Sequence, residues 1–236
     1  MDGWTSAVRH QLGLGRLLPL GGPRDGAWIA ESAAQGVLRA AVRGVPGVRL
    51  GVLRIAPADR DGGYEAVVPP PPSGLPPGPL RVTADFAAAV SEPLPTAAAR
   101  VRGALLTAAA ERLGLVVAEV DLRVTDLLDA DEPEPEAVRP PDAPEAGPAL
   151  TGDEARAAEA ALSVPGVTGM SAVLGRAVRL EDRQEAGTAL PHRHARVEIV
   201  VRADRRTLDV AREVRAVVSD ALPDRPTVAV LVTAVS

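Results

Sequence analysis

Val45-Pro46-Gly47-Val48 closes an Ala-rich helical stretch, and Val164-Pro165-Gly166-Val167 closes another far downstream. In both places a proline that cannot continue a helix is followed by a glycine free to take positive φ, and then by a β-branched residue suited to a strand. What surrounds the two stops decides the fold, because the same order of elements recurs around each.

Upstream of the first stop, Ile29, Ala30, Ala33, Val37, Ala41 and Val45 fall at helical spacing, with Asp25 placed as N-cap. Downstream, Val48, Leu50 and Val52 alternate on towards Ile55, and Leu80, Val82, Ala84, Phe86 and Ala88 alternate again, which predicts two strands. The Pro-rich stretch 69–79 between them reads as an expanded hairpin loop in polyproline II. A helix from Thr96 as N-cap puts Val101, Leu105, Ala109 and Leu113 on one side and ends at Gly114. A third strand then carries Val116, Ala118, Val120, Leu122 and Val124 on one face and Glu119, Asp121, Arg123 and Thr125 on the other.

Around the second stop, Thr151 and Glu154 form a capping box for a short helix with Ala155, Ala158 and Leu162 inward. A strand from about Met170 to Glu181 follows, then one over 196–203 with Val197, Ile199 and Val201 inward. A helix over about 204–222 and a last strand over 227–235 complete the series. The prediction is an α+β chain of two related α-β-β-α-β modules, each a small three-stranded sheet with two helices packed on one face. Its parts are an N-terminal segment 1–24 with a short amphipathic helix, a first module 25–128, an acidic Pro-rich linker 129–150 and a second, divergent module 151–236.

Composition bounds the rest. Of 236 residues 46% are hydrophobic but only 2% aromatic, so the core must be built from Ala, Val and Leu. The 26 basic residues are all arginine, a pattern that GC-rich coding explains without a nucleic-acid role, and a net charge of −5 repels a phosphate backbone. Without cysteine there are no disulfides, thiolate metal sites or Cys nucleophiles. The opening Met1-Asp2-Gly3 has no leader character, and no stretch approaches the ~20 apolar residues of a membrane helix. These point to a cytoplasmic protein, peripheral at most at the inner face of the cell membrane. Trp4, Val8 and Leu12 form an apolar stripe suited to a partner, to a membrane surface or to the chain's own fold.

The first half resembles the alkaline shock protein family, the Gls-type proteins of the envelope stress response. The resemblance rests on the order of a helix ending at Val45-Pro46-Gly47-Val48, a strand pair, a helix ending at Leu113-Gly114-Leu115 and a closing strand Val120-Asp121-Leu122-Arg123-Val124-Thr125-Asp126. It covers about residues 28–128, and 152–235 more faintly. It implies a non-enzymatic protein that self-associates or docks on membrane-anchored partners near the envelope. The Pro insertion, the second module and the acidic linker depart from the family's single-module pattern.

Chemistry-bearing residues are sparse. His192 and His194, two apart on an extended segment, point to one side and are the most metal-like pair, with Glu181, Asp182 or Glu185 as a third ligand; Arg193 and Arg196 beside them oppose a cation. Only His10, His192 and His194 are available as bases, and no serine lies in a nucleophile-elbow setting. Gly13-Leu14-Gly15 and Gly21-Gly22 lack the strand, lysine and third glycine of a phosphate loop. Asp121 and Asp126 sit on a solvated strand. No catalytic, cofactor or metal residue is therefore assigned. The expected function is a non-catalytic interaction or scaffold protein, with the polar sheet faces Glu119-Asp121-Arg123 and Arg196-Glu198-Arg202 either as contact surfaces or paired with each other within the chain. Small α/β nucleic-acid binding is the alternative, and metal binding through His192 and His194 a weaker one.

Overall fold

Residues 15–59, 62–128, 149–183 and 192–236 are described by a computed structural model. The chain is mixed α+β, with four helices and two sheets. β1 (Leu17–Leu20) and β2 (Ala27–Ala30) form a hairpin ahead of α1 (Glu31–Arg43), β3 (Val48–Pro57) and β4 (Leu80–Ala89). Then come α2 (Leu94–Thr107), whose last turn widens to a π-helix over Ala108–Leu113, and β5 (Val117–Leu128). The second half holds α3 (Gly152–Leu162), β6 (Val167–Met170), β7 (Val178–Arg183), β8 (His192–Val201), α4 (Thr207–Ala221) and β9 (Thr227–Val235).

The smaller sheet has the order β3-β4-β5, and the larger β1-β2-β9-β8-β6 with β7 also on β8. In the smaller sheet β3 is antiparallel to β4, and β4 parallel to β5. In the larger one, β6 and β7 are antiparallel to β8, and β8 is parallel to β9. β2 adds in parallel beside β9, so residues 17–30 belong to the sheet built by the end of the chain.

One apolar core joins the two halves. Ile55, Val82 and Phe86 of the smaller sheet and Val197, Ile199 and Val230 of the larger share it with the inner faces of all four helices. α1 touches β3 on one side and β9 on the other, so helices fill the space between the sheets. The small aliphatic residues make this close layering feasible. A second cluster lies on the far side of the larger sheet: Leu17, Trp28, Ala30, Val68, Ala229 and Leu231. The 69–79 region does link two antiparallel strands, and it also folds over this cluster. Leu75 donates its N–H to the Leu17 carbonyl at 2.9 Å and accepts the Trp28 Nε1–H at 3.0 Å.

Several elements differ from their sequence readings. Asp25 caps no helix, and Ile29 and Ala30 lie on a strand, because Ala27–Ala30 is buried on both faces and a four-residue apolar run has no period that tells helix from strand. Asp25 instead accepts the Gly22 N–H at 2.7 Å and pairs with Arg212. α2 begins at Leu94 rather than at Thr96, since Pro95 fits the first helical turn. Thr151 occupies the N-cap of α3 without a side-chain bond, and Leu162 is exposed. The single strand expected from Met170 is interrupted by the turn 171–177. On β5 only Val117, Val120 and Leu122 pack against the core, while Val116 and Val124 are exposed, because a register shift near the strand's start and its rim position break the alternation. The helix expected over Trp4, Val8 and Leu12 and nearly all of the 129–150 linker lie outside the described residues. No helix among those described is long and apolar enough to cross a membrane.

Gly114 ties the halves together. It takes φ +86°, its carbonyl accepts the Gly21 N–H at 2.9 Å, and a Cβ there would sit 2.4 Å from the Leu208 Cβ of α4. Gly114→Ala therefore combines a left-handed penalty with overpacking against the Leu208 side chain, and should cost roughly 2–4 kcal/mol. Urea unfolding followed by circular dichroism checks this, with a single transition shifted as a whole the expected result.

Candidate functional site

Two polar regions invite function. The first runs along the far face of β8. Val197, Ile199 and Val201 point to the helices, so the alternate residues His194, Arg196 and Glu198 point away from them. A contact surface at Arg196 and Glu198 is not what forms. Glu198 has no exposed area and Arg196 only 9%, because the turn 171–177 closes over them. Ser171 donates its N–H to the Glu198 carbonyl at 3.0 Å, and Leu174 donates its N–H to Glu198 Oε2 at 3.1 Å. Arg196 Nη2 and Glu198 Oε1 form an ion pair at 3.5 Å, and these two atoms, Arg196 Nε and Ser171 Oγ are all buried without a hydrogen-bond partner. Of the expected trio only Arg202 is exposed, beside Asp204.

Burial dominates the electrostatics of this line. It pushes the Glu198 carboxyl up to about 7, against a backbone N–H and the Arg196 charge that act the other way, and it pulls Arg196 below its ordinary value. Burial, helped by Arg183, lowers His194 to about 4, so the ring is neutral with Nδ1 2.9 Å from Thr227 Oγ1. The histidines do not gather ligands. Glu181 lies opposite His194 but is held by Arg179 at 2.5 Å, and Arg183 faces His192. Among the described residues no group of three His, Asp or Glu side chains is placed to hold a metal; Glu185 lies outside them.

The second region is the face of the smaller sheet away from the helices, which is open. Arg81 bonds Glu119 through Nε at 2.7 Å and lies 3.5 Å from Asp121. Arg123 binds Asp85 with both nitrogens at 2.9 Å, holding that carboxyl below its usual range. Arg49 approaches Asp126 at 3.9 Å. Arg49, Arg54, Arg81 and Arg123 on this face are matched in number by Asp85, Glu119, Asp121 and Asp126, which leaves little net attraction for a phosphate backbone.

The two edges of this sheet are unlike. β3 is broken by a register shift between Leu50 and Leu53, and Arg39 donates to the Gly51 carbonyl at 2.8 Å; bulges and capping charges of this kind discourage strand addition. On β5 the stretch Arg81↔Glu119 to Phe86↔Val124 pairs regularly with β4, and no described strand lies beyond it. Arg102 of α2 reaches the Val120 carbonyl at 3.4 Å across that rim. A strand bonded on one side offers the backbone groups of alternate residues on the other, so this contact marks Val120, Leu122 and Val124 as the outward set. Val124 and Leu127 are exposed there. Sequence reasoning named Glu119, Asp121 and Arg123 but not the edge beside them; a run of alternation with few charges on one face was the available signal.

A third feature, a cleft between the end of β3 and the Pro loop, is lined by Arg16, Pro57, Asp59, Gly63 and Pro76. Its Arg16 is engaged by Glu31 and by the Ile55 carbonyl. Comparison with models of protein families finds no match, and comparison with curated proteins finds none either.

The two buried titrating groups act on stability in opposite senses. Unfolded, Glu198 ionises near 4.5; folded, near 7, so it withdraws stability as pH rises through that window. Unfolded, His194 protonates near 6.5; folded, near 4, so it withdraws stability as pH falls through that one. Between pH 4.5 and 6.5 the two slopes, each about 1.4 kcal/mol per pH unit, cancel. Glu198→Gln should expose the histidine slope, giving a protein less stable at pH 5 than at pH 6.5 yet more stable than the parent at pH 8. Denaturant midpoints across that range decide it.

Proposed function

We propose that the chain is a non-catalytic interaction protein that binds protein partners by strand addition at the outer edge of β5. The carrying observation is that edge itself, regular from Glu119 to Val124 with no described strand beyond it, whereas β3 at the other edge of the same sheet is bulged and capped by Arg39. Two further features support the reading. The buried polar line on β8 is sealed by its own turn and so serves the fold rather than a substrate. The charges on the open face are paired into a flat, polar platform of the kind partner surfaces use at their rim.

The antiparallel-then-parallel strand pairing occurs in both halves, each time with a helix before the strands and another at the parallel crossover. This favours treating them as two α-β-β-α-β units and agrees with the resemblance to alkaline shock proteins. On that reading the partners are sought at the inner face of the envelope, including membrane-anchored proteins.

Val124→Pro removes an outward N–H at an edge position that tolerates proline, and so blocks addition without opening the core. Immobilised parent and variant are exposed to soluble and detergent-solubilised membrane fractions of the native cell. Retention of proteins by the parent and their loss from the variant is expected; an identical set on both sinks the proposal.

A further inference from the structure

We infer that the strand added at this edge is β5 of a second copy of the chain, antiparallel and centred on Leu122, which joins two smaller sheets into one of six strands. The inference rests on the strand-addition reading above and names its partner.

The sequence of β5 is complementary to itself in that register. About a two-fold axis at Leu122, Asp121 of each copy faces Arg123 of the other, Val120 faces Val124, and Leu122 faces its own counterpart. Backbone parity agrees, because the outward residues Val120, Leu122 and Val124 meet outward residues across the axis, as an antiparallel ladder requires. Shifts that keep this parity move the axis by two residues: at Val120 it sets Glu119 against Asp121, and at Val124 it sets Arg123 against Thr125 and Asp121 against Leu127. Like charges directly opposite each other are unfavourable and opposite charges favourable, so of the three the register centred on Leu122 is the one that pairs opposite charges.

The existing ion pairs extend across the axis. Within one chain Glu119, Arg81 and Asp121 form one alternating run, and Arg123 with Asp85 forms another. The Arg123 side chain is 74% exposed and that of Asp121 61%, so each retains hydrogen-bonding capacity. Joining them across the axis produces a single row, Glu119, Arg81 and Asp121 of one copy followed by Arg123 and Asp85 of the other, and the axis generates it twice. Apolar surface is covered at the same time, since Val124 is exposed and Val120 and Leu122 are half-buried. Arg102 must release its 3.4 Å contact, a cheap exchange for an exposed side chain.

Sedimentation equilibrium of the purified chain tests this. The parent should sediment at twice its 24.3 kDa mass. Asp121→Arg and Arg123→Glu each place like charges opposite one another twice and should weaken the dimer roughly tenfold or more. An equimolar mixture of the two variants restores opposite charges at both positions and should recover the dimer, which also shows that both variants fold. As the chain has no cysteine, Leu122→Cys gives one thiol per copy, and the ~5.5 Å Cα separation of a facing hydrogen-bonded pair lies within disulfide reach, so oxidation should yield a single cross-linked dimer. A monomeric parent, a dimer indifferent to both charge changes, or variants whose mixture stays monomeric overturns self-pairing. A monomeric parent whose Val124→Pro variant still loses captured proteins would retain strand addition and exclude only the second copy.

Discussion

Packing of small aliphatic side chains between two sheets is the constraint on which this molecule depends. With almost no aromatic residues, the core gains its apolar area from many Ala, Val and Leu contacts, and these are effective only at close range. Both sheets therefore turn their apolar faces to the same helices, and α1 serves β3 and β9 at once. Bulk is concentrated in Trp28 and Phe86, both fully buried, Phe86 in the core between the sheets and Trp28 on the far side of the larger sheet. Where backbone must approach closely, as at Gly114 against Leu208, only glycine fits.

That arrangement also governs where charge goes. The smaller sheet keeps its outer face in water, so its arginines and carboxylates pair in solvent, where they set register and pattern more than stability. On the larger sheet the outer face is covered by the Pro loop at one end and by the turn 171–177 at the other, and the charges caught beneath are desolvated. Burial outweighs attraction for Arg196 and Glu198, which destabilises both ionised forms. Similar polar stripes on two strands thus end in opposite environments, because of what the intervening loops cover.

Much of this was legible in the residues. The stop at Gly114, the buried sides of α2 and α4 and the bounds of β9 follow from periodicity and capping. What escaped is what depends on distant contacts. Ala27–Ala30 has no local reason to be a strand until β9 lies beside it, and Glu198 alternates like a surface residue until a turn folds over it. The expectation that Arg196 and Glu198 form a contact surface failed for that reason, since alternation reports which side of a sheet a residue takes and says nothing of what later covers that side. The β5 edge was equally hidden, because pairing partners are a property of the sheet and not of the strand.

The parallel contact between β2 and β9 joins residues about 200 positions apart, among the longest separations the chain allows. During synthesis the hairpin at 17–30 emerges long before its neighbour. Until then Trp28 and its apolar companions have no sheet to join, and the larger sheet closes only once β9 has emerged. Premature exposure of that hairpin is thus built into the topology, and a nascent chain halted before residue 227 would be the species most in need of a holding chaperone.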